Sequence, residues 1–357
     1  MGLLWMDYEK EFQNLADTAF QLECDGNPEY FASMSQRVRK IVYRDTRYNI
    51  DYLYTSYLLN DDKIMSDYAA WLYKLMYSVL KHLNASETAD YVIRHLGYIR
   101  QAVLQTVSSD KHPRLLALLD IADSSVRDAA SHADEQADTI IKPSRYEDEI
   151  HQYMNSLLEK NQRKSLHLIH QFTEKGIPLN DIYVEILAES MRRIGELWHT
   201  ARITVDEEHY CTSVTQTAMA QFYPVLFSKE RKNRMLLCAC PGTELHEMGA
   251  RMVADIFEND GWDSLYLGAA VPEDAMLDAI RNNHPDLVAL SVTMPQHLLS
   301  CQDLVMAIRR EFPDQKLAVG GKAFRSTDAL WSKWPVDIYT EDARQLLSEA
   351  NLALNAS

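Results

Sequence analysis

The chain has 357 residues, of which 46% are hydrophobic and 25% charged, as is typical of a globular protein with sizeable cores. Its 36 basic and 52 acidic residues give a net charge of −16, which disfavours direct binding to nucleic acid phosphates. We recognise no helix-turn-helix, no zinc finger and no apolar run long enough to span a membrane. The first residues acquire charge too early for a secretory signal, so we expect a cytoplasmic protein.

The cysteine content supports the same compartment. An odd number of scattered cysteines in a long chain favours reduced thiols over a disulfide framework. Cys238 and Cys240 lie two apart in a strand-like run, and no Cys or His pair follows at metal-ligand spacing, so both are interpreted as small buried side chains. The five cysteines are Cys24, Cys211, Cys238, Cys240 and Cys301.

Residues 1–140 are predicted to form an all-helical domain. Apolar residues recur at helical spacing over 67–83, where Asp61 and Asp62 could cap the start, and again over 115–126. A small, acidic and polar stretch at 131–138 precedes Pro143, which places a domain boundary there.

Residues 144–228 are predicted to form a four-helix bundle. Amphipathic segments cover 146–160, 162–175, 179–200 and 206–227, and the breaks between them are short, as at Gly176 to Pro178.

Residues 234–357 are predicted to form a doubly wound parallel sheet of the Rossmann-like class. Strand-like runs at 235–239, 264–267, 287–292, 316–319 and 337–339 alternate with helical stretches at 247–259, 272–282, 296–311 and 323–331. Such alternation is typical of a parallel sheet that carries helices on both faces.

A candidate ligand loop follows the first of these strands. His246 could coordinate a transition metal, Glu244 could hold the far nitrogen of the imidazole, and Gly249 would let a bulky group approach the backbone. Hydroxyl groups and bare backbone at the ends of the third and fourth strands would line a slot. These residues are Ser291, Thr293, Gly320 and Gly321.

This ordered pattern over the last 120 or so residues resembles the cobalamin-binding domain family. The resemblance implies that His246 replaces the cofactor's own base as the lower ligand of cobalt, and that the displaced nucleotide tail fills the slot. Many members of the family have Asp two positions before the histidine, whereas this chain has Glu244.

The predicted bundle carries a second pattern, Trp198-His199 followed by Glu208-His209. Singly, these residues are typical of a packed core and of an acidic first helical turn. Together they resemble the light-sensing adenosylcobalamin proteins known as the sensory half of MerR-class repressors. The resemblance implies that Trp198 packs on the upper adenosyl group, with Glu208 and His209 nearby, and that His199 can bind cobalt after illumination.

The helical first region stands where those repressors have a DNA-binding domain, and by layout the chain resembles photocobilins, which hold biliverdin beside cobalamin. Candidate contacts are Arg37, Arg44 and Arg47 for the propionates, and Cys24 for a tether. His82, His95 and His112 could serve haem instead. Tyrosines that could contact the ring edges are Tyr43, Tyr48, Tyr52, Tyr54, Tyr57, Tyr68, Tyr73 and Tyr77.

We therefore expect a light sensor that uses adenosylcobalamin, with biliverdin as a candidate second chromophore. It would form a light-dependent homo-oligomer and signal to an unknown downstream protein. No nucleophile elbow or phosphate-binding loop is recognisable, so we expect no enzymatic turnover. Two alternatives stay open: a corrinoid methyl carrier for a methyltransferase, and a regulator that senses cobalamin without light.

Overall fold

The computed structural model describes residues 5–133 and 144–355, which belong to two compact units. One unit comprises Met1–Thr139 with Pro295–Ser300 and Arg325–Leu330, and the other comprises Ile140–Met294, Cys301–Phe324 and Trp331–Ser357. The predicted boundary near residues 138–143 lies outside the described residues.

The first unit is helical, as predicted. Its core is made where α4 packs on α6 and α1 packs on α5. Asp61 caps α4 by accepting a hydrogen bond from the Lys63 amide at 3.1 Å, and its other oxygen accepts from the Asp328 amide at 2.8 Å. The helices are α1 Trp5–Gly26, α2 Pro28–Ser33, α3 Gln36–Leu59, α4 Asp62–Val79, α5 Ala85–Thr106 and α6 His112–Ser131.

The second unit begins with the predicted bundle. The third predicted helix contains a π-helical turn, Ile182–Leu187, between a short helix and a longer one. The fourth ends earlier than predicted and is followed by one short helix. The helices are α7 Glu147–Leu158, α8 Gln162–Glu174, α9 Leu179–Asp181, α10 Ala188–His199, α11 Val205–Ala220 and α12 Tyr223–Leu226.

The second unit continues as a five-stranded parallel sheet with strand order β2-β1-β3-β4-β5. The order reverses between β1 and β3, and ligands bind at such a switch point in open α/β sheets. The strands are β1 Met235–Pro241, β2 Asp263–Val271, β3 Leu287–Ser291, β4 Leu317–Gly320 and β5 Ile338–Thr340. The helices are α13 Met248–Asn259, α14 Glu273–Asn283, α15 Leu298–Glu311 and α16 Ala343–Asn355.

Two expectations about helices in the last region need correction. The helix predicted at 323–331 is wrong, because the chain forms separate 3-10 turns at Lys322–Ser326 and Leu330–Lys333. The Thr327 hydroxyl accepts from the Leu330 amide and Ala329 has a positive φ, which breaks the helical path. Helix α16, which packs on α13, was not predicted from the sequence. Among the described helices, none combines the length and the apolar character needed for a bilayer crossing.

Asp51 on α3 places a carboxyl group in the core of the helical unit. Its side chain is buried, and no hydrogen bond reaches its Oδ1 atom. Burial raises the pKa of this carboxyl group to about 7, although the charge of Arg47 partly opposes the shift. Between its ordinary pKa and about 7, the folded state binds more protons at this site than the unfolded state does. Stability therefore falls as the pH rises through that range.

Asp51→Asn should make unfolding less sensitive to pH. We expect the variant to be more stable than the wild type at pH 8, with the difference shrinking by on the order of 2 kcal/mol at pH 5. Urea unfolding at both pH values measures this. Asp90→Asn, at an exposed position of α5, is the matched control, and an identical pH dependence in wild type and Asp51→Asn would contradict the prediction.

Candidate functional site

The loop between β1 and α13 presents the His246 imidazole at the switch point of the sheet. The His246 side chain is 57% exposed, whereas Glu244 is fully buried beneath it. Glu244 Oε1 lies 2.6 Å from His246 Nδ1 and also accepts from the His246 amide at 2.9 Å. Because Nδ1 is held by the carboxylate, Nε2 is the ring nitrogen presented for coordination.

The second oxygen of Glu244 crosses to the loop after β3. Glu244 Oε2 accepts hydrogen bonds from the backbone amides of Thr293 and Met294, each at 2.8 Å. Thr293 therefore supports the histidine through its backbone, a role that sequence reasoning missed because an amide leaves no signature in the residue type.

The pKa of the His246 imidazole is raised, chiefly because its hydrogen bond to Glu244 stabilises the protonated ring. The negative charges of Glu244 and Glu208 act in the same direction, while burial and the positive charge of Lys322 oppose them. Glu208 comes from α11 of the bundle, so the structure brings this predicted cap residue into the electrostatic surroundings of the predicted lower ligand.

A cavity of about 180 Å³ opens beside the loop, along the sheet. Four of the predicted ligand residues line it, namely three of the slot residues and Gly249, whereas Thr293 does not. A side chain on Gly320 would come within 2.6 Å of the Thr340 carbonyl oxygen, and one on Gly321 within 2.3 Å of the Val292 carbonyl oxygen, so bare backbone is required at both positions. The four are Gly249, Ser291, Gly320 and Gly321.

The bundle residues of the second pattern lie at the end of one helix and at the start of the next. Trp198, half-buried, and His199, buried, end α10. Glu208 lies in the first turn of α11, where one carboxylate oxygen accepts from Thr212 and the other lies 2.7 Å from His209 Nδ1. The His209 ring is 75% exposed.

A further polar contact joins the bundle to the ligand loop and was missed by sequence reasoning. Glu247 directly follows His246, and its carboxylate accepts from Gln216 of α11 at 3.3 Å and from the Tyr266 hydroxyl at 3.0 Å. Isolated Glu and Gln residues are too common for this link to be recognised from sequence.

These residues fit a corrinoid. One imidazole has its far nitrogen anchored, and a cavity lined by Gly249, three residues further along the chain, requires glycine backbone at its wall. Within residues 5–133 and 144–355 no three His, Cys, Asp or Glu side chains are grouped as a metal site. A cobalt ion brought by a macrocycle needs only axial ligands from the protein.

The basic and histidine candidates of the helical unit differ in their surroundings. Arg37 and Arg44 are exposed on α3, while Arg47 lies over the Phe12 ring.

Both nitrogens of His95 are occupied, by Asn49 at 2.7 Å and Glu23 at 3.1 Å, which leaves neither available for haem iron. His112 Nε2 lies 2.9 Å from the Val107 carbonyl oxygen, and His82 is exposed after α4.

The thiol and tyrosine candidates mostly belong to packed or hydrogen-bonded positions. Cys24 is buried beside the Arg39 guanidinium. Tyr52 stacks on Tyr68 with ring centroids 3.7 Å apart, and the Tyr68 hydroxyl donates to Asn49. Tyr43 donates a hydrogen bond to Asp17, Tyr54 donates to Glu11, and Tyr73 donates to the Ala85 carbonyl oxygen. Tyr77 stacks on Tyr73, and Tyr57 lies beside Tyr54. Tyr48 is exposed.

Comparison with known proteins agrees with this geometry. Residues 234–347 match one B12 binding domain family model, and residues 149–223 match a second family model with the same description. The HTH-type transcriptional repressor CarH of Myxococcus xanthus is 28% identical over 166 residues, which is 46% of this chain and 54% of the repressor. This chain thus spans about half the length of that relative.

Corrinoid proteins also match. Monomethylamine corrinoid protein 1 of Methanosarcina acetivorans is 23% identical over 208 residues, which is 56% of this chain and 94% of that protein. The structure of the Methanosarcina barkeri monomethylamine corrinoid protein superposes with a TM-score of 0.51 at 19% identity, covering 59% of this chain and all of that one. This likeness shows a shared fold.

Glu244→Gln should lower the pKa of the His246 imidazole toward its ordinary value. The substitution removes the charge that stabilises the protonated ring, so the ring loses its proton at lower pH. NMR titration of the His246 ring measures the change. Glu247→Gln is the matched control, since that neighbouring carboxylate bonds to Gln216 and Tyr266. An equal or larger fall in the control would contradict the assignment to Glu244.

Proposed function

Because this chain carries B12-binding domains over residues 149–223 and 234–347, we propose that it is a light sensor that holds adenosylcobalamin. His246 is the lower cobalt ligand in this proposal. The observation that carries the proposal is the pairing of Trp198-His199 with Glu208-His209 at the ends of α10 and α11, in the same unit as the His246 loop. The similarity to the repressor CarH supports it.

The residues of the bundle have distinct roles in this proposal. Adenosylcobalamin would supply a cobalt–carbon bond that light can break. Trp198 offers an aromatic face to the upper group, and Glu208 orients His209 through their 2.7 Å contact. His199 follows Trp198 on the last turn of α10, about 100° further round the helix, so a rotation of this helix end by that amount exchanges an indole for an imidazole.

The readout that we propose is a change in association between copies of the chain, which passes the signal to a downstream protein. The net charge of −16 keeps direct binding to nucleic acid outside the proposal. No turnover is part of this proposal.

A corrinoid methyl carrier is the second candidate function. Its support is the match to monomethylamine corrinoid protein 1, which spans 94% of that relative. A carrier needs an open upper face for its methyltransferase, whereas α10 places Trp198 and the buried His199 beside one another in the cap. The two functions differ in what light does to the loaded protein. A third candidate, a regulator that senses cobalamin without light, would need neither side chain.

Light should change both the spectrum and the molecular mass of the protein loaded with adenosylcobalamin in darkness. His199→Ala should keep the dark spectrum, alter the spectrum reached after green light and abolish the change in mass. Trp198→Ala should weaken the binding of adenosylcobalamin about tenfold relative to the binding of methylcobalamin, since the larger upper group loses its aromatic contact. Absorption spectra and light scattering after size-exclusion chromatography measure these effects.

His170→Ala, at an exposed position of α8, is the matched control for these variants. If illumination changes neither the absorption spectrum nor the molecular mass of the loaded wild-type protein, the light-sensor function is ruled out. Methyl transfer from the loaded protein to a partner enzyme would favour the carrier instead. A response to cobalamin that survives both alanine substitutions would favour the light-independent regulator.

We also propose biliverdin as a second chromophore, held by the helical unit. Arg37 and Arg44 are seven residues apart on α3 and therefore lie on one face of that helix, where two guanidinium groups can pair with two propionates. The buried carboxyl group of Asp51 lies another seven residues along the same stripe and could accept from pyrrole N–H groups.

Combined replacement of Arg37 and Arg44 by Ala should weaken biliverdin binding by about tenfold or more, because exposed charge-assisted pairs are lost from both propionates. The absorption of added biliverdin, titrated against protein in darkness, measures this. Lys74→Ala removes an exposed charge from α4, outside the proposed face of α3, and is the control. Biliverdin absorption that is unaffected by wild-type protein would end this part of the proposal.

A further inference from the structure

The cavity beside the ligand loop has a wall that comes from the bundle. Most of its lining belongs to the sheet and its helices, but Val184 and Ala188 also face it. Val184 lies in the π-helical turn and Ala188 is the first residue of α10. Both side chains are only half-buried, as expected for residues that border a cavity.

The residues on either side of Val184 fix the π-helical turn against the rest of the unit. The Tyr183 hydroxyl donates to Asp255 of α13 at 2.7 Å. Glu185 accepts from Arg344 of α16 at 3.0 Å. Three consecutive residues thus contact the sheet side of the unit, because a π turn holds more residues than an α turn and turns less per residue.

We infer that Val184 and Ala188 form the bundle side of the slot that takes the nucleotide tail of the corrinoid, and that their size sets which tails fit. The inference rests on the proposed binding of cobalamin. The polar residues that line the same cavity are Ser291, Thr340, Glu341 and Asp342. Val184 and Ala188 present only methyl groups, so they select the tail by shape and apolar contact.

This assignment gives the bundle a second contact with the cofactor. Ala188 begins α10 and Trp198 stands at its far end, ten residues away, which is about 15 Å along a straight helix. A single helix therefore reaches from the tail slot to the residues assigned to the upper face.

Ala188→Leu tests the inference through dark binding of two probes, adenosylcobalamin and adenosylcobinamide, which has the same ring and upper group but no nucleotide tail. We expect the variant to bind adenosylcobalamin at least tenfold more weakly than the wild type, because overpacking closes the slot. Its affinity for adenosylcobinamide should stay within about twofold. Isothermal titration measures both affinities without illumination.

Ala275→Leu makes the same change at an exposed position of α14 and should leave both affinities unchanged. Val184→Ile adds a single methylene and preserves branching at the β carbon, so it serves if Ala188→Leu does not fold; we expect a severalfold loss for adenosylcobalamin only. Equal losses for both probes, or no loss for either, would overturn the inference. A wild-type protein that binds neither probe would instead overturn cobalamin binding itself, whereas a failure to respond to light would leave the slot assignment standing.

Discussion

The buried carboxylate of Glu244 is the interaction on which the ligand loop depends. A charge removed from water is costly unless hydrogen bonds replace its hydration. Here three backbone amides, those of His246, Thr293 and Met294, donate to the two oxygens, and the His246 ring occupies a fourth position. Because the donors come from the loops after β1 and β3, this carboxylate ties together the ends of the two strands that flank the switch point.

The same loop is also held from the bundle side. Glu247 directly follows His246, and its carboxylate accepts hydrogen bonds from Gln216 of α11 and from Tyr266 of β2. The loop that presents His246 is therefore fixed by the sheet through Glu244 and by the bundle through Glu247. In the proposed sensor, this contact is the link through which a displacement of α11 and a change at His246 would act on each other.

The sequence was sufficient to predict the elements whose signal is local. Parallel strands alternating with helices predict the sheet, and strand ends in such a sheet converge, so the proximity of His246, Ser291 and Gly320 follows from their positions in the chain. Periodic apolar residues likewise predict the bundle. The π-helical turn was not predictable, because the contacts that hold it are made to residues distant in the chain. Tyr183 of the turn donates to Asp255, and Glu185 of the turn accepts from Arg344.

The errors in the last region have a related cause. Residues 323–331 contain good helix formers, but Thr327 and Asp328 form hydrogen bonds that compete with the helix, and one of their partners is Asp61, far away in sequence. The backbone amides of Thr293 and Met294 could not be identified either, since every residue except proline offers one. What the sequence concealed was the set of contacts made by backbone groups or by residues that are common everywhere.

The choice of Glu rather than Asp two residues before His246 follows from these contacts. The Oε1 atom of Glu244 contacts the His246 ring in the loop after β1, and its Oε2 atom accepts hydrogen bonds from the amides of Thr293 and Met294 at 2.8 Å. An aspartate at this position would have one methylene less, and from the same backbone it could not serve both loops at these distances. The buried carboxylate would then lose donors or the loops would have to move closer. The longer side chain thus allows one charge both to orient the imidazole and to join the two strand ends, and the spacing of the two loops is matched to glutamate.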